Sequence, residues 1–318
     1  MRYTPCDPEA QNCVRNVLDY LADIEGKYVI AGQHTQTMKQ EELEKIRRVT
    51  GKEPALLGFE LLSYSPNINY LDTDEECMTE VIENNGTLKR AWEWAEKKGL
   101  ITFTWHWFSP LGGRSKSFFS ENTDFDAGKA LIDGTPENRA LLSDMDVMAG
   151  ILRPFCDKGI PILWRPFHEA EGNWFWWGAK GADTVKALYR LMYDRFTKLH
   201  GLHDLIWVFN SPLPETYPGD DVVDVISRDL YSEPHIHKSY LKEYDELTAV
   251  TGKKPLFIGE TGILPDTAAA VREQAKWTSF MTWSRVFSLT EQFNTDKAFH
   301  DIYNDEHTIT LDKLPAMY

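Results

Sequence analysis

Two glutamates, Glu169 and Glu260, stand where the sequence favours an active site, because each follows a short apolar run. Glu169 precedes the aromatic segment 174–177, Trp-Phe-Trp-Trp. A carboxyl beside such rings is poorly solvated as an anion, which raises its pKa and suits a general acid. Glu260 lies between two glycines that let a substrate approach closely. Because an unpaired charge at the end of a buried strand is costly, we expect this carboxylate to have a chemical role.

The two carboxyls together match the needs of a retaining glycosidase. Such an enzyme uses one carboxyl as acid/base and a second as nucleophile, roughly 5 to 5.5 Å apart. Opposite sides of a barrel mouth can supply that distance. For either residue alone a structural role is the alternative. Glu169 would then be a solvated loop residue or a partner of Arg165, and Glu260 would form an ion pair at a barrel rim.

Eight apolar runs, alternating with amphipathic segments, must position these residues. The runs are 28–32, 54–59, 100–105, 160–164, 205–209, 222–226, 255–258 and 280–283, and the helix-like segments include 40–50, 87–98, 138–157, 184–200, 237–251 and 267–279. Continuously apolar strands are typical of parallel sheets that are covered on both faces. The pattern predicts an α/β fold, a (β/α)8 TIM barrel, as a single domain over 1–318. Residues 1–25 are expected to be an N-terminal extension that packs on the barrel.

A dinucleotide-binding sheet fits the sequence less well, because Gly32-Gln33-His34 does not continue as GxGxxG. In a barrel, the active site lies where the strands end at the carboxyl-terminal face. The polar and aromatic residues at these ends are His34, Glu60, Trp105, His106, Trp107, Arg165, His168, Glu169, Trp207, Asn210, Asp229, Tyr231, Glu260 and Trp283. Two carboxyls with several ring donors and many aromatic faces are therefore expected at one mouth.

Some of these side chains are expected to be structural. His34 is interpreted as a strand-end or outer-subsite residue and not as a catalytic one. Of the 11 tryptophans, Trp92, Trp94 and Trp277 fall in predicted helices and are expected to pack there. Trp105 and Trp107 alternate along a strand, so one is expected to face the core and the other the mouth.

Charge and motif content exclude several classes of protein. Lys and Arg number 34 against 49 Asp and Glu, a net charge of −15, which disfavours nucleic-acid binding. No apolar run approaches the roughly 18 to 20 residues that cross a bilayer. His168-Glu169 does not continue to the second histidine of a zinc helix, and His235-Ile236-His237 has no third ligand nearby in sequence. We therefore predict no metal and no cofactor, and we expect neither nucleic acid nor membrane as a partner.

The four cysteines leave the compartment undecided. Cys6 and Cys13 could form a disulfide in a secreted protein, a possibility that the sequence leaves open, whereas Cys77 and Cys156 are expected to be reduced. The first residues contain no apolar signal core. Either the protein is cytoplasmic, or it is secreted and its signal peptide is missing from this sequence. Secretion is the expectation.

Residues 164–178, Trp-Arg-Pro-Phe-His-Glu-Ala-Glu-Gly-Asn-Trp-Phe-Trp-Trp-Gly, closely resemble the acid/base signature of glycoside hydrolase family 26, whose members are mainly endo-β-1,4-mannanases. Supporting matches extend over most of the chain, at 104–107 with Pro110, 217–221, 229–231, 254–262 and 309–315. The resemblance implies a retaining barrel with Glu169 as acid/base and Glu260 as nucleophile.

The same resemblance implies substrate-binding roles for other residues at the mouth. His106 and His168 would contact the sugar next to the cleaved bond, Tyr231 would orient the nucleophile, and Arg165 would keep it ionised. Trp174 and Trp283 would stack on sugar rings, and Trp107 is also expected to bind the substrate. Two departures from the family pattern stand out. Glu171 replaces a common Asn, which could change aglycone-side contacts, and Thr261 replaces a common Phe, which could alter a subsite wall.

The resemblance thus implies a retaining endo-β-1,4-mannanase that acts on mannan, glucomannan or galactomannan, and we expect it to be a monomer. Its partner would be a β-mannan polysaccharide or oligosaccharide, and the acidic surface is compatible with a neutral polymer. The alternatives are a same-family β-glucanase of the lichenase type, a β-1,3-xylanase and an exo-acting mannobiohydrolase. A catalytically inactive carbohydrate-binding barrel would lack one of the carboxyls, and a metal-dependent barrel hydrolase would be sensitive to a chelator.

Overall fold

Eight parallel strands, buried along nearly their whole length, close into a barrel. The computed structural model describes residues 3–35, 38 and 40–318. The barrel strands are β1 (Val29–Thr35), β2 (Leu56–Glu60), β3 (Leu100–Thr104), β4 (Ile162–Arg165), β5 (Leu205–Asn210), β6 (Val225–Leu230), β7 (Leu256–Thr261) and β8 (Ser279–Thr282). Each pairs in parallel with the next, and β8 pairs with β1, which closes the ring. The predicted (β/α)8 barrel is confirmed. A two-residue strand, β9 (Thr308–Ile309), pairs in parallel with Val29 and Ile30 of β1.

In the described part of the chain, ten α-helices surround these strands. They are α1 (Asn12–Ile24), α2 (Glu41–Thr50), α3 (Glu75–Glu83), α4 (Thr87–Glu96), α5 (Pro136–Cys156), α6 (Ala182–Asp194), α7 (Leu241–Thr248), α8 (Thr267–Glu273), α9 (Val286–Leu289) and α10 (Asp296–Tyr303) among the described residues. Helix α5 begins where Thr135 accepts a hydrogen bond from the Asn138 amide and Pro136 fixes the first turn. None of the described helices combines the length and the apolar character that a membrane crossing requires.

Helix α1 packs against the residues that begin the barrel strands. Val14, Val17, Leu18 and Leu21 are fully buried, and they belong to one apolar cluster with residues from β1 to β7. The contact seals the end of the barrel opposite the strand exits. The assignment of 1–318 as one domain with residues 1–25 as an extension stays a prediction.

Several predicted boundaries are wrong for local reasons. The sixth strand begins at Val225 and not at residue 222, and it continues through Ser227, Arg228 and Asp229, polar residues that interrupt the apolar pattern. Helix α8 ends at Glu273, because Gln274 takes a left-handed conformation with φ +62°. Trp277 therefore lies in a loop and not in a helix, although it is buried as expected. Helix α6 begins two residues before the predicted Thr184 and continues as a π-helical turn, Arg195–Leu199.

All four cysteines are free thiols. The Cys6–Cys13 disulfide that the sequence left open is not formed, because the Cys13 thiol instead donates to Asp204 Oδ1 at 3.0 Å. Burial raises the pKa of Cys156 to about 12, so this thiol stays protonated at neutral pH.

Candidate active site

The carboxyls of Glu169 and Glu260 lie close together at the barrel mouth. Glu169 follows β4 with φ +51°, and Glu260 lies near the end of β7. An oxygen of each, and an oxygen of Asp229 from β6, lie within 4.8 Å of one another. This distance is close to the roughly 5 to 5.5 Å between carboxyls in retaining glycosidases, and shorter than the roughly 6.5 to 9.5 Å of inverting ones. The two glutamates selected from the sequence are therefore neighbours in space.

Glu260 is held from two sides. Arg165 Nη2 donates to Glu260 Oε1, and the Tyr231 hydroxyl donates to Oε2 at 2.9 Å. Arg165 Nη1 lies 3.2 Å from Asp229 Oδ2, so one guanidinium serves both acids. Burial raises the pKa of Glu260, and the Arg165 charge opposes that rise. The arrangement orients both carboxylate oxygens and leaves Glu260 only 4% exposed.

Glu169 is positioned through its backbone and its carboxyl. Its amide donates to Asn210 Oδ1 at 2.7 Å, and the Trp174 indole N–H donates to Glu169 Oε2 at 2.8 Å. Burial, with the charge of Asp229, raises the pKa of Glu169 to about 7, while Trp174 and His106 oppose the rise. A carboxyl with this pKa can be protonated or ionised near neutral pH, as an acid/base must be.

The two predicted sugar-binding histidines differ in position. His106 is partly exposed and its Nδ1 lies 2.7 Å from Glu60 Oε2. His168 is 1% exposed, and its ring packs against His106, Phe175 and Trp177. His168 is therefore nearly inaccessible beside His106, and its contact with a sugar stays a prediction. Arg165 is 2% exposed and bonds Glu260, and a direct contact with the sugar stays a prediction.

Three aromatic side chains at the mouth keep accessible surface. Trp174 is 42% exposed and Tyr231 is 50% exposed, although the Tyr231 hydroxyl reaches the buried Glu260. Trp283 is half-buried and stacks on His34 with ring centroids 3.8 Å apart. His34 is fully buried beneath this ring, in a structural position. The exposed faces of Trp174 and Trp283 suit the predicted stacking on sugar rings.

Trp107 is almost fully buried, and its substrate-binding role stays a prediction. Trp105 and Trp107 are 2% and 1% exposed and stack on each other with centroids 4.0 Å apart. The Trp107 indole N–H donates to Asp144 Oδ2 at 2.8 Å, whereas that of Trp105 donates to Ser65 Oγ. The expectation that the two rings point to opposite sides is wrong, because both residues follow β3 in an irregular segment where strand alternation no longer applies.

The two departures from the family pattern have different surroundings. Glu171 is partly buried, and burial, with a contribution from Asp229, raises its pKa to about 7. Thr261 is fully buried, and its hydroxyl donates to the Ile263 carbonyl at 2.6 Å. Thr261 therefore does not form a subsite wall, whereas Glu171 stays next to the site.

Asp229, Asn210 and Glu60 belong to the site without having been assigned a role from the sequence. Asn210 Nδ2 donates to Asp229 Oδ1 at 2.8 Å, so the side chain that fixes Glu169 also fixes Asp229. Glu60 fixes His106. Their position at strand exits was a signal, but the sequence alone did not indicate which partner each would meet.

The carboxyl cluster is the one group among the described residues that has the spacing of a metal site. The Arg165 guanidinium bonds two of its three members, Asp229 and Glu260, and supplies positive charge there. These donors therefore suit an acid–base pair with an internal cation better than a divalent-metal centre. His235 and His237 line a separate groove of about 410 Å³ that contains none of these residues.

The chain resembles known proteins along nearly its whole length. The model of glycosyl hydrolase family 26 matches residues 6–313. A mannan endo-1,4-beta-mannosidase of Thermothelomyces thermophilus is 35% identical over 97% of this chain, and mannan endo-1,4-beta-mannosidase B of a Piromyces species is 28% identical over 98%. The chain spans 62% and 54% of the lengths of these two relatives.

Solved structures of other proteins are similar to this chain in fold and in sequence. A Podospora anserina GH26-CBM35 β-(1,4)-mannanase has a TM-score of 0.89 and 33% identity, covering 100% of this chain and 70% of its own. A β-mannanase from a symbiotic protist of the termite Reticulitermes speratus has a TM-score of 0.88 and 29% identity, with 98% of both chains covered. With a family model that matches nearly all of its residues, this chain belongs to glycosyl hydrolase family 26.

Proposed function

We propose that this protein is a retaining endo-β-1,4-mannanase that hydrolyses mannan, glucomannan or galactomannan. The observation that carries the proposal is the separation of the Glu169 and Glu260 carboxyl oxygens, within 4.8 Å, which suits double displacement. The relatives named as mannan endo-1,4-beta-mannosidases support the choice of sugar.

Each carboxyl has a distinct step in the proposed reaction. Glu260, oriented by Arg165 and Tyr231, attacks the anomeric carbon while Glu169 gives its proton to the leaving oxygen. A covalent glycosyl-enzyme results, and Glu169 is left as an anion. Glu169 then removes a proton from the attacking water, which releases the sugar from Glu260 with its original anomeric configuration.

A neutral mannan or glucomannan chain fits the surroundings of this pair. The exposed ring faces of Trp174, Trp283 and Tyr231 can pack on sugar rings without any need for charge attraction. The termite-protist neighbour was solved in complex with a gluco-manno-oligosaccharide, which supports glucomannan as one substrate. Because such polymers do not enter cells, we also propose that the protein is secreted, and that it acts as a monomer.

A time course of mannohexaose hydrolysis tests the function. We expect internal cleavage into several short manno-oligosaccharides, with the β-anomer formed first in proton NMR and no effect of a chelator. The Glu260→Ala variant serves as the control for contaminating activity. Stepwise release of mannobiose from one end would favour the exo-acting alternative. Failure on mannan, with activity on mixed-linkage glucan or β-1,3-xylan, would overturn the proposed substrate, and binding without hydrolysis would overturn the enzyme assignment.

A further inference from the structure

Glu60 is a fully buried carboxylate whose two oxygens are both occupied by donors from the active-site side of the barrel. It ends β2 and is 0% exposed. Oε1 accepts the backbone N–H groups of Leu62 at 2.9 Å and of His106 at 2.8 Å. Oε2 lies 2.7 Å from His106 Nδ1. These three contacts suit an ionised carboxylate, and they make Nδ1 of His106 a proton donor.

The other ring nitrogen of His106 meets a second histidine. His106 Nε2 lies 3.1 Å from His168 Nε2, so one of these atoms must donate and the other accept. Either His106 is neutral and accepts from His168, or His106 is an imidazolium that donates at both nitrogens. The surrounding charges favour the second arrangement. Burial lowers the pKa of His106, but Glu60, Glu260 and Glu169 together raise it, whereas burial and the charge of His106 lower the pKa of His168.

The charged groups around His106 come from three sides. Glu60 faces it from β2, Glu169 from the segment after β4, and Glu260 from β7. Arg165 and His34 are close enough to His168 to lower its pKa by charge repulsion. His106 therefore lies between the buried Glu60 carboxylate and the carboxyls of Glu169 and Glu260.

We propose that Glu60 is a positioning residue that keeps His106 as an imidazolium cation beside Glu169 and Glu260. The inference rests on the proposed function for its mechanistic meaning, and Glu60 itself does not touch the reacting atoms. A fixed cation at His106 stabilises Glu169 as an anion after it has given up its proton. It also favours the ionised form of Glu260, which the first step requires.

The Glu60→Gln variant tests this role with little change in shape. The Gln carbonyl oxygen can still accept the two backbone N–H groups, but its amide NH₂ then faces Nδ1. His106 must accept there, and it becomes a neutral ring with its proton on Nε2. Loss of the charge raises the pKa of both catalytic carboxyls, so both limbs of the pH–rate profile are expected to move to higher pH, by about one pH unit. We expect kcat on mannohexaose to fall about tenfold or more with little change in KM.

A second carboxylate–histidine pair provides a matched control. Asp146 Oδ1 lies 2.6 Å from His200 Nε2, between α5 and the end of the α6 π-turn and outside the active site. Asp146→Asn removes the same type of contact and should leave both limbs of the profile in place. A shift of similar size in this control, or unchanged limbs in Glu60→Gln, would overturn the proposal.

Histidine-selective ¹⁵N NMR of the wild-type protein decides the protonation states even if Glu60→Gln does not fold. Signals of His106 and His168 are assigned from His106→Asn and His168→Asn. We expect His106 to have both nitrogens protonated near pH 6 and His168 to be neutral, and a neutral His106 at that pH would overturn the proposal. This measurement does not need turnover. If the protonation states are as expected but mannan is not cleaved, the proposed function fails and the role of Glu60 stands.

Discussion

Trp174 donates its indole N–H to Glu169 Oε2 over 2.8 Å while its ring remains 42% exposed. One side chain therefore both bonds the proposed acid/base and keeps an accessible ring face. The bond lowers the pKa of Glu169, whereas burial and Asp229 raise it, to about 7 overall. The pKa of Glu169 is thus set by a balance in which the Trp174 hydrogen bond opposes burial and Asp229.

Replacing Trp174 with Phe keeps an aromatic ring and removes the donor. The pKa of Glu169 should then rise, because its anion loses a hydrogen bond. Since the first step needs protonated Glu169, the basic limb of kcat/KM should move to higher pH, by roughly half a pH unit or more. The pH–rate profile on mannohexaose measures the shift. Trp92→Phe, a change in helix α4, is the control, and a basic limb that stays or moves to lower pH would contradict the prediction.

The two catalytic carboxyls should be separable by leaving-group chemistry. Glu260→Ala should abolish turnover of every substrate, including aryl mannobiosides, because no glycosyl-enzyme can form. Glu169→Ala should lose about 10²- to 10⁴-fold on mannan but keep the first step for an aryl leaving group that needs no proton. Steady-state and burst kinetics of both variants measure this difference.

Azide provides the matching control for these variants. It should restore turnover of the aryl substrate by Glu169→Ala, because it attacks the glycosyl-enzyme without needing a general base. Equal and mild losses in both variants would rule out the assignment of acid/base and nucleophile.

Gly259 is predicted to be intolerant of a side chain. An added Cβ would lie 2.6 Å from Asp229 Oδ1 and 2.8 Å from Asn210 Nδ2. These atoms cannot move freely, because they bond each other, and Asn210 also holds the Glu169 amide. Gly259→Ala should therefore lower kcat roughly 10- to 100-fold through displaced catalytic groups.

Gly150 in helix α5 is the matched control, because a Cβ there meets nothing within 4 Å beyond its chain neighbours and the backbone of its own helix. Gly150→Ala should leave kcat unchanged and raise the stability by up to about 1 kcal/mol, since Ala favours a helix. Kinetics and thermal unfolding of both variants provide the test. Full activity in Gly259→Ala would show that the site tolerates this displacement.

The barrel could be predicted because its strands are buried on both faces and so read as apolar runs. The prediction is poorest where a strand end serves the site. In β6, Ser227 and Asp229 point toward Asn210 and break the apolar pattern, and the predicted strand was therefore placed too early. The polar residues that identify an active site thus make the strand on which they lie harder to predict.

The sequence could not predict how deeply each aromatic side chain is buried below the barrel mouth. Trp107 and Trp174 are both aromatic residues after barrel strands, yet one is 1% and the other 42% exposed. The contacts from Asn210 to Glu169 and from Glu60 to His106 join distant segments, 41 and 46 residues apart. Such pairs depend on strand register and loop shape, which local patterns do not specify.

Asp144 carries a prediction about stability. Its side chain, 3% exposed in α5, accepts hydrogen bonds from Trp107 Nε1 at 2.8 Å and from Asn67 Nδ2 at 3.1 Å. Burial nevertheless raises its pKa to about 7, against about 3.9 for an unfolded chain. Because the pKa of Asp144 is higher in the folded state, the protonated side chain favours folding. This contribution to stability is complete below about pH 4 and is lost as the pH rises through about 7.

Asp144→Asn removes this pH-dependent loss of stability, because the side-chain amide stays neutral. Its oxygen can accept from Trp107, and the Asn67 amide can turn to present its own oxygen. The variant should match wild type near pH 4 and be more stable at pH 8 by about 1 kcal/mol or more, a rise in Tm of a few degrees. Thermal unfolding at both pH values measures this. Asp146→Asn is the control: ion pairing with Arg195 and His200 outweighs burial and lowers the pKa of Asp146, so this substitution should stabilise at neither pH. A lower Tm for Asp144→Asn at pH 8 would mean that Asp144 stabilises the fold as an anion.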